Sequence, residues 1–294
     1  MCKGNCNACQ ACQTEKPYTV IHDQYGVMYV EANDAIRPEL TVSMGNSKTG
    51  DNVYCLNYPI YYTCDHRCEC YRLKKCYAQG GCYNFPDNQR KYTANYIWTR
   101  QHTAAELAEK IVSLMTDPRV KKFRYFTCGD FTQKVLAAAV MVAKARPDVE
   151  FWAYTKKYSI VNAYIRAHGG SIEEAIPSNL VIIFSHWLNE DGTYFPMNNP
   201  YNFPTSEFIP CGQEQLAETV THICRCSDPA VVANCENCDN PCYRLKPGQS
   251  MALLEHSTAA TKARDKDLRL AHDAIKAAEK AAKKAARQAA KKAG

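Results

Sequence analysis

The sequence predicts an α/β protein in which a parallel sheet is joined by helical crossovers. Three observations support this fold class. Helix-like and strand-like segments alternate between residues 103 and 184. The segment 180–184 is continuously apolar, which is typical of a strand buried on both faces of a parallel sheet. All of the 17 cysteines except Cys128 lie outside this alternating region. The sequence therefore indicates an α/β body that carries cysteine-rich, metal-binding loops.

Helices are predicted from local start and stop signals. The first begins at Thr103, and Glu106 three residues later completes the pattern of a capping box. The second covers 132–146, where apolar residues recur at helical spacing and Pro147 follows directly. The third covers 158–168 and is closed by a Gly-Gly pair. Each helix thus separates two segments of strand character.

Strands are predicted at 123–127 and 149–154, which are rich in aromatic residues, and at the apolar segment 180–184. An earlier segment, 53–63, has extended character as well. Both an open, doubly wound sheet and a barrel-like closure fit this succession of elements.

Polar side chains follow three consecutive predicted strands. In parallel α/β folds the functional groups lie at the carboxyl ends of the strands. We therefore expect Asp130, Lys156 and His186 to share one edge of the sheet as catalytic candidates, with Cys128 beside them as a cofactor-binding candidate. The alternative is that these residues begin solvated loops and that Asp130 caps a helix.

The compartment in which the protein is expected decides how its cysteines are interpreted. The sequence has no apolar run of membrane-spanning length, and its first residues lack the apolar stretch of a secretory signal, so a cytoplasmic location without membrane insertion is expected. In a reducing compartment, closely spaced cysteines bind metals more often than they form disulfides. An odd number of cysteines also excludes complete pairing. Metal binding is therefore favoured over a disulfide scaffold.

The N-terminal segment 1–16 holds a cysteine group of its own. Its candidate metal ligands are Cys2, Cys6, Cys9 and Cys12. This spacing is similar to that of bacterial ferredoxins, and it lacks the two separated CxxC knuckles of structural zinc sites, so an iron–sulfur cluster is favoured. Its first three cysteines also fit the CxxxCxxC spacing of radical S-adenosylmethionine enzymes. The alternative is a cysteine-rich end that binds nothing.

Two further cysteine groups belong to the α/β body, 17–257. The group between residues 55 and 82 follows an extended segment, and its irregular spacing leaves open which of its six cysteines ligate; the candidates are Cys64, Cys68, Cys70 and Cys76. The C-terminal group suits an iron–sulfur cluster or zinc, and its candidates are Cys226, Cys235, Cys238 and Cys242. We therefore expect more than one 4Fe-4S cluster in the protein.

Motifs spread over residues 40–256 resemble those of the phage gene product eighty-eight family. The matching segments, in order, are Met44–Lys48, Thr63–Ala78, Phe126–Phe131, Phe151–Lys156 and the cysteines of 235–242, followed by His256. His256 is either a ligand or a surface histidine. The family is similar in turn to radical S-adenosylmethionine barrel proteins. That resemblance implies a partial (β/α) barrel-like fold, an iron–sulfur enzyme that uses S-adenosylmethionine, and an electron donor as partner.

The same resemblance implies roles for individual residues. Asp130 and Lys156 would contact a polar ligand, and His186 would donate a proton or serve as a fourth ligand. The polar segment Asn46, Ser47 and Lys48 would meet a phosphate of a cofactor, whereas the alternative is a plain β-turn. If the protein is phage-encoded, the host cytoplasm is its expected location.

The tail, 258–294, carries 11 Lys+Arg against 4 Asp+Glu, so the rest of the chain is nearly neutral despite the net charge of +6. Its alanine-rich composition predicts a helix, and a lysine-coated helix binds nucleic-acid phosphates by counterion release. The alternative is a solvated, partly disordered tail. The sequence as a whole predicts a radical S-adenosylmethionine-like enzyme that acts on or near nucleic acid. The alternatives are a non-catalytic, metal-stabilised nucleic-acid-binding protein and an electron-relay protein.

Overall fold

The computed structural model describes residues 18–46, 49–72, 76–187, 189, 193–209, 220–224, 234–236, 238 and 241–254. Several sequence-based candidates lie outside the described residues, namely Cys2, Cys6, Cys9, Cys12, Ser47, Lys48, Cys226, His256 and the tail 258–294.

Strands and helices alternate through most of the described chain. The strands are β1 (Val20–His22), β2 (Met28–Val30), β3 (Ser43–Asn46), β4 (Gly50–Leu56), β5 (Lys122–Tyr125), β6 (Glu150–Thr155), β7 (Leu180–His186), β8 (Thr205–Ile209), β9 (His222–Ile223) and β10 (Ser250–Leu254). The helices are α1 (Ile60–Thr63), α2 (Glu69–Arg72), α3 (Pro86–Gln101), α4 (Ala104–Leu114), α5 (Gln133–Ala145), α6 (Tyr158–Ala167) and α7 (Ile172–Ala175). Short 3-10 turns cover Tyr77–Gln79, Gly81–Asn84 and Cys242–Arg244.

One large sheet organises the molecule. Its strand order is β3-β4-β5-β6-β7-β8-β10-β9, and β1 and β2 form a separate antiparallel hairpin. Seven strands, from β4 to β9 in that order, pair in parallel, whereas β3 runs antiparallel to β4. The predicted α/β class with a parallel sheet is therefore confirmed.

Helices α4, α5 and α6 pack on one face of this sheet, which we call the helix face. They connect strands that are neighbours both in sequence and in space, since β4 to β8 follow one another across the sheet. The helix face is a single apolar core that includes Leu107, Ile111, Val135, Leu136, Val161 and Ile165 from the helices and Phe123, Tyr125, Phe151, Ile182 and Phe184 from the strands. With these helices on one face, the other face needs a different cover.

The second face is covered by a cysteine-containing segment, and we call it the cysteine face. Strand side chains Val53, Cys55, Trp152, Ile183 and Met251 pack there against Cys224, Cys235, Cys242, Tyr243 and Leu245. In its described part the covering segment 234–245 has one 3-10 turn as its regular structure. The cover is therefore held by side chains and loops.

Local sequence signals account for most of the helix-face elements. Thr103 Oγ1 accepts a hydrogen bond from the Glu106 N–H at 3.2 Å, and the Thr103 N–H donates to Glu106 Oε2 at 2.7 Å, so the predicted capping box starts α4. Thr132 likewise caps α5. The apolar segment at 180–184 is a strand with both faces largely buried, and it extends to His186.

The prediction of an extended segment over 53–63 is wrong in its second half. Strand β4 ends at Leu56, and α1 turns the chain over Ile60–Thr63. Pro59 caps this helical turn with φ −64°, and its carbonyl accepts a hydrogen bond from Thr63 Oγ1 at 2.9 Å. The fixed φ of proline suits the start of a helix, so the apolar run bends instead of continuing as a strand.

No helix in the described part of the chain combines the length and the apolar character that crossing a membrane requires.

Candidate metal centre

Cysteines of the 55–82 group gather directly after β4. Cys68 Sγ lies 3.0 Å from Cys70 Sγ, which is too far for a disulfide bond of about 2.05 Å. The Cys76 N–H donates to the Cys70 carbonyl at 3.0 Å, which brings the two residues side by side. Cys64 and Cys128 pack in the same cluster as these three. We call Cys64, Cys68, Cys70 and Cys76 the loop cysteines.

The loop cysteines follow the carboxyl end of β4, and Asn57 ties that end to the end of β5. Its Oδ1 accepts hydrogen bonds from the N–H groups of Thr127 at 2.9 Å and Cys128 at 3.0 Å. The Tyr58 N–H donates to the Cys128 carbonyl at 2.9 Å. A Cβ at Gly129, which has φ +100°, would lie 2.8 Å from the Tyr58 carbonyl oxygen, so this close approach requires glycine.

Lys156 extends from the end of β6 toward the loop cysteines. Its Nζ lies 4.6 Å from the centre of the Trp187 ring, a cation–π contact. Burial by itself lowers the pKa of Lys156, but the thiols of Cys70, Cys68 and Cys76 around it raise that pKa above its ordinary value. Lys156 therefore places a positive charge beside sulfur atoms.

Asp130 accepts hydrogen bonds from residues at the carboxyl ends of two neighbouring strands. Its Oδ1 accepts hydrogen bonds from Thr155 Oγ1 at 2.5 Å and the Phe131 N–H at 2.7 Å, and its Oδ2 accepts from the Lys156 N–H at 3.0 Å. Burial raises the pKa of Asp130, and the hydrogen bonds from Thr155 and Lys156 oppose that rise. Both carboxylate oxygens are therefore used within the protein, and Asp130 fixes where Lys156 leaves the strand.

His186 contacts a different group of residues. Its Nδ1 lies 2.8 Å from Glu207 Oε2 on β8, and its ring stacks on Tyr194 with centroids 4.1 Å apart. The following residue, Trp187, contacts Lys156. Of the three strand-end candidates, Lys156 meets the loop cysteines, Asp130 supports Lys156, and His186 pairs with Glu207.

The structure places Asn46 far from the loop cysteines. Asn46 is opposite Gly50, the first residue of β4, whereas the loop cysteines follow the last residue of that strand. At roughly 3.3 Å per residue, the ends of β4 are about 20 Å apart. A cofactor phosphate held at Asn46 would therefore lie at the opposite edge of the sheet from Lys156.

The C-terminal cysteine group lies on the cysteine face. Cys235 and Cys242 are buried there, together with Cys55 and Cys224, which the sequence spacing did not select, and Cys238 is half-buried. Asn57 and Trp152 are two further buried residues that sequence reasoning did not select as site residues. Trp152 lies within the motif Phe151–Lys156, whereas Asn57 belongs to no motif and only its contacts reveal a role.

The thiol groups are the feature that makes both cysteine groups candidate metal sites. Among the described residues, no group of three Cys, His, Asp or Glu side chains is arranged so that it could hold a metal ion. Ligands of a cubane cluster bind different iron atoms, so they stand farther apart than ligands of one ion. Thiols, as thiolates, are the donors that soft metals and iron–sulfur clusters select.

The comparison with protein families agrees with this arrangement of motifs. The sequence profile of the Gene product 88 family matches residues 38–191. The chain belongs to the Gene product 88 family. The matched range holds the loop cysteines, Asp130, Lys156 and His186, whereas the C-terminal cysteines of the motif at 235–242 lie beyond it. No curated protein and no solved structure shows significant similarity to the chain.

Proposed function

We propose that the protein is an iron–sulfur enzyme of the radical S-adenosylmethionine type, with its cluster bound by the loop cysteines. The observation that carries this proposal is the convergence of four thiols and the Lys156 ammonium at the carboxyl end of the first parallel strand. The enzymes that the sequence resembles hold their cluster in a loop after the first barrel strand. Strand β4 is the first strand of the parallel part of the sheet here.

The ligand set follows from chemistry and spacing. Three thiolates from the loop cysteines would bind the cluster and leave one iron open for S-adenosylmethionine. Cys64 and Cys68 have the CxxxC spacing that begins the CxxxCxxC pattern. When bound, the reduced cluster would supply the electron that cleaves S-adenosylmethionine to methionine and a 5′-deoxyadenosyl radical.

Lys156 supports the proposal through its charge. A cluster with thiolate ligands is anionic, and an ammonium beside it lowers the free energy of the more negative, reduced state. Alternatively, the same ammonium would bind the carboxylate of S-adenosylmethionine. In both roles Asp130 acts as a positioning residue, because it holds the Lys156 backbone.

The shape of the sheet is compatible with a partial (β/α) barrel, which forms part of the proposal. Strands β4 to β8 are consecutive neighbours, and α4, α5 and α6 share one face. In (β/α) barrels the helices form the outer layer and strand ends at the carboxyl edge carry the active site. The cysteine face would then correspond to the barrel interior.

Anaerobic purification of the full chain tests the proposal. We expect iron and acid-labile sulfide, a paramagnetic signal after dithionite reduction, and release of 5′-deoxyadenosine from S-adenosylmethionine. Cys68→Ser should abolish cofactor cleavage. Cys82→Ser is the matched control because Cys82 is an exposed thiol in the same cysteine group, and it should leave the activity unchanged.

Other outcomes assign other functions. A colourless, zinc-containing protein would overturn the iron–sulfur proposal. A brown protein that is reduced and reoxidised without cleaving S-adenosylmethionine would instead support an electron relay.

The role of Lys156 has its own test. Lys156→Met should shift the reduction potential of the cluster to a more negative value while the iron content stays that of the wild type, because only the neighbouring positive charge is lost. Lys156→Arg retains the charge and should restore most of the potential. Equal potentials for all three proteins would rule out this electrostatic role.

A nucleic-acid-binding protein stabilised by metal is the second candidate, and the concentration of positive charge in 258–294 favours it. Binding by counterion release would give an affinity that falls steeply with salt. A chain ending at residue 257 should lose both the affinity and its salt dependence while it keeps its metal. Salt-independent binding of the full chain would count against the tail as the binding element.

A further inference from the structure

A continuous series of aromatic rings begins beside the loop cysteines. Tyr71, on α2, packs in the same buried cluster as Cys68 and Cys70. The His66 ring stacks on the Tyr71 ring with centroids 4.4 Å apart. The centroid of the same His66 ring lies 5.3 Å from that of Tyr61, on α1. The inner part of the series therefore leads away from the loop through rings in direct contact.

The outer part of the series crosses from α1 to α3. The Tyr61 and Tyr62 rings have centroids 5.0 Å apart, and the Tyr62 ring stacks on that of Tyr96 at 4.7 Å. The guanidinium of Arg100, an exposed residue, lies 5.8 Å from the centre of the Tyr96 ring. Tyr71 is buried, whereas the three outer tyrosines are partly exposed. We use the name ring series for Tyr71, His66, Tyr61, Tyr62 and Tyr96.

The innermost tyrosine has a carboxylate as its proton acceptor. The Tyr71 hydroxyl donates a hydrogen bond to Asp23 Oδ2 at 2.7 Å. Asp23 Oδ1 accepts hydrogen bonds from the N–H groups of Tyr25 at 2.9 Å and Val27 at 2.8 Å, so the turn between β1 and β2 holds the carboxylate in place. A phenol that loses an electron becomes a strong acid, and a base that takes its proton must lie within hydrogen-bond reach. Asp23 meets this requirement.

Trp187 is a further oxidisable ring at the inner end of the series. It packs against the cluster that contains Tyr71, and the Lys156 ammonium lies 4.6 Å from the centre of its ring. A positive charge at this distance favours the electron-rich, uncharged indole and disfavours its radical cation. The Tyr71 radical is uncharged once the phenolic proton has moved to Asp23. An electron therefore passes readily from Tyr71 to oxidised Trp187.

Packing alone accounts for less of this arrangement. Stacked and edge-to-face rings stabilise any core, and phenylalanine supplies such contacts as well as tyrosine does. On the helix face, for example, Phe123 contacts Phe151 and Phe126 contacts Phe131. Every ring of the series except His66 is a tyrosine, which loses an electron and a proton far more easily than phenylalanine. Composition and the placement of the carboxylate thus both favour a redox role.

We propose that the ring series carries one-electron oxidising equivalents from the loop cysteines to the protein surface at Tyr96. In one respect this role rests on the proposed function, because the oxidant is the hydroxyl radical that forms, with hydroxide, when peroxide takes an electron from protein-bound iron. The hydroxyl radical removes one electron from the Trp187 ring and leaves as hydroxide. Tyr71 returns an electron to the indole while its phenolic proton passes to Asp23.

The following steps restore each ring in turn. An electron from Tyr61 and the proton held by Asp23 convert the Tyr71 radical back to the phenol. The partly exposed tyrosines release their own protons to water as the radical moves outward. At the surface a small thiol gives a hydrogen atom to the Tyr96 radical and becomes a thiyl radical. The loop thiols would thereby escape oxidation to sulfenic acid.

Pulse radiolysis of the full chain with azidyl radicals tests the ring series without any metal. An azidyl radical takes one electron from an indole and becomes azide. The parent protein for this test carries Trp98→Phe; because Trp152 is completely buried, Trp187 is then the indole that the radical reaches. We expect the absorbance of the indole radical to decay while that of a tyrosyl radical rises. The rate should not depend on protein concentration, because the transfer is intramolecular.

Conservative variants of this parent locate the transfer. Tyr71→Phe and Asp23→Asn should each slow the decay of the indole radical severalfold. Tyr96→Phe should leave that decay unchanged and alter the electron paramagnetic resonance spectrum of the final tyrosyl radical. Tyr164→Phe is the matched control, because Tyr164 is a partly buried tyrosine on α6 that stacks on His168, outside the series. It should change neither the rate nor the spectrum.

Two results would overturn the proposal. One is an equal decay rate in the parent, Tyr71→Phe and Asp23→Asn proteins. The other is an unchanged final spectrum in Tyr96→Phe, which would show that the radical does not reach α3. Neither result bears on the proposed cluster, whose failure would appear instead as a purified protein without iron and sulfide.

Discussion

The two faces of the sheet are built on different physical principles. The helix face buries large aromatic and aliphatic side chains such as Phe123, Phe151 and Ile111 against regular helices. The cysteine face buries thiols and the Trp152 indole beneath a segment that, in its described part, has one 3-10 turn as its regular structure. Each face leaves a buried polar atom without a hydrogen-bond partner among the described residues, for example the Trp152 Nε1–H on the cysteine face and the Tyr125 hydroxyl on the helix face. The faces therefore differ in their packing, which is regular and apolar on one side and irregular and rich in thiols on the other.

The largest effect is expected on the helix face. Phe151→Ala should lower the free energy of unfolding by roughly 3–5 kcal/mol, because it removes a completely buried ring. Urea denaturation should give the same loss with and without a chelator. Phe151→Leu, which retains most of the apolar volume, is the control and should cost much less. If the loss of unfolding free energy depended on the chelator, packing on the helix face would not be independent of bound metal.

Metal removal should act at the loop cysteines and spare the helix face. A chelator should lower hydrogen-exchange protection in α2 and in the 3-10 turn Tyr77–Gln79, which flank the proposed cluster, and leave that of α4 and α5 unchanged. A metal at 100 times its dissociation constant contributes about 2.7 kcal/mol to the folded state. Uniform loss of protection throughout the sheet would show that the cysteine loop and the helix face unfold as one unit.

The hydrogen bonds of Asp130 at the strand ends should contribute less to the free energy of unfolding than the packing of the helix face. Asp130→Ala leaves the Thr155 hydroxyl and the N–H groups of Phe131 and Lys156 without their acceptor, at a cost of about 1–3 kcal/mol. Thr155→Val removes only one donor and should cost less. Thermal unfolding of the two variants measures the difference. Equal stability of Asp130→Ala and the wild type would contradict the bracing role.

The capping box on the periphery of the helix face should have a smaller effect still. Thr103→Ala removes the acceptor of the Glu106 N–H and should destabilise the protein by about 1 kcal/mol. Thr103→Ser keeps the hydroxyl and should stay near the wild-type midpoint in urea. A loss for Thr103→Ser as large as that for Thr103→Ala would assign the effect to the methyl group.

The smallest effect concerns the charges at the loop. Arg67 donates a hydrogen bond to Asp65 at 2.7 Å and lowers the pKa of that carboxyl to about 2. A lowered carboxyl pKa stabilises the fold above the ordinary value near 3.8, and this contribution is lost as the pH falls toward 2. Arg67→Ala should move the pKa of Asp65 toward its ordinary value, as carboxyl NMR titration would detect. An unchanged pKa would show that the exposed Arg67 contributes little.

The helix face could be predicted from the sequence because its signals are local. The capping box at Thr103 and the apolar run of β7 each fix an element within a few residues, and repetition of such elements indicates a parallel sheet. The extended segment 53–63 was mispredicted because apolar side chains suit a strand or a buried turn equally, and the conformational restriction of Pro59 decided the outcome.

The candidate sites were harder to predict because their members meet only in the fold. Asn57 contacts Thr127 and Cys128, which are 70 and 71 residues away. Cys55 packs on a face with Cys235 and Cys242, whereas reasoning from spacing groups a cysteine with its neighbours in the chain. The position of Lys156 at the carboxyl end of β6 could be predicted because the carboxyl ends of parallel strands share an edge, a rule that needs only the order of elements.

The order of the last strands constrains how the sheet is completed. Strand β10 inserts between β8 and β9, although β9 comes before it in the chain. During synthesis, β9 is made before β10, the strand with which it pairs. Its edge therefore stays unpaired until β10 has been made and has paired with β8. Assembly of this side of the sheet is therefore a late step with long-range contacts, which is slow and exposes strand edges to other chains. Conditions that delay release of the C-terminal part should thus favour aggregation of nascent protein.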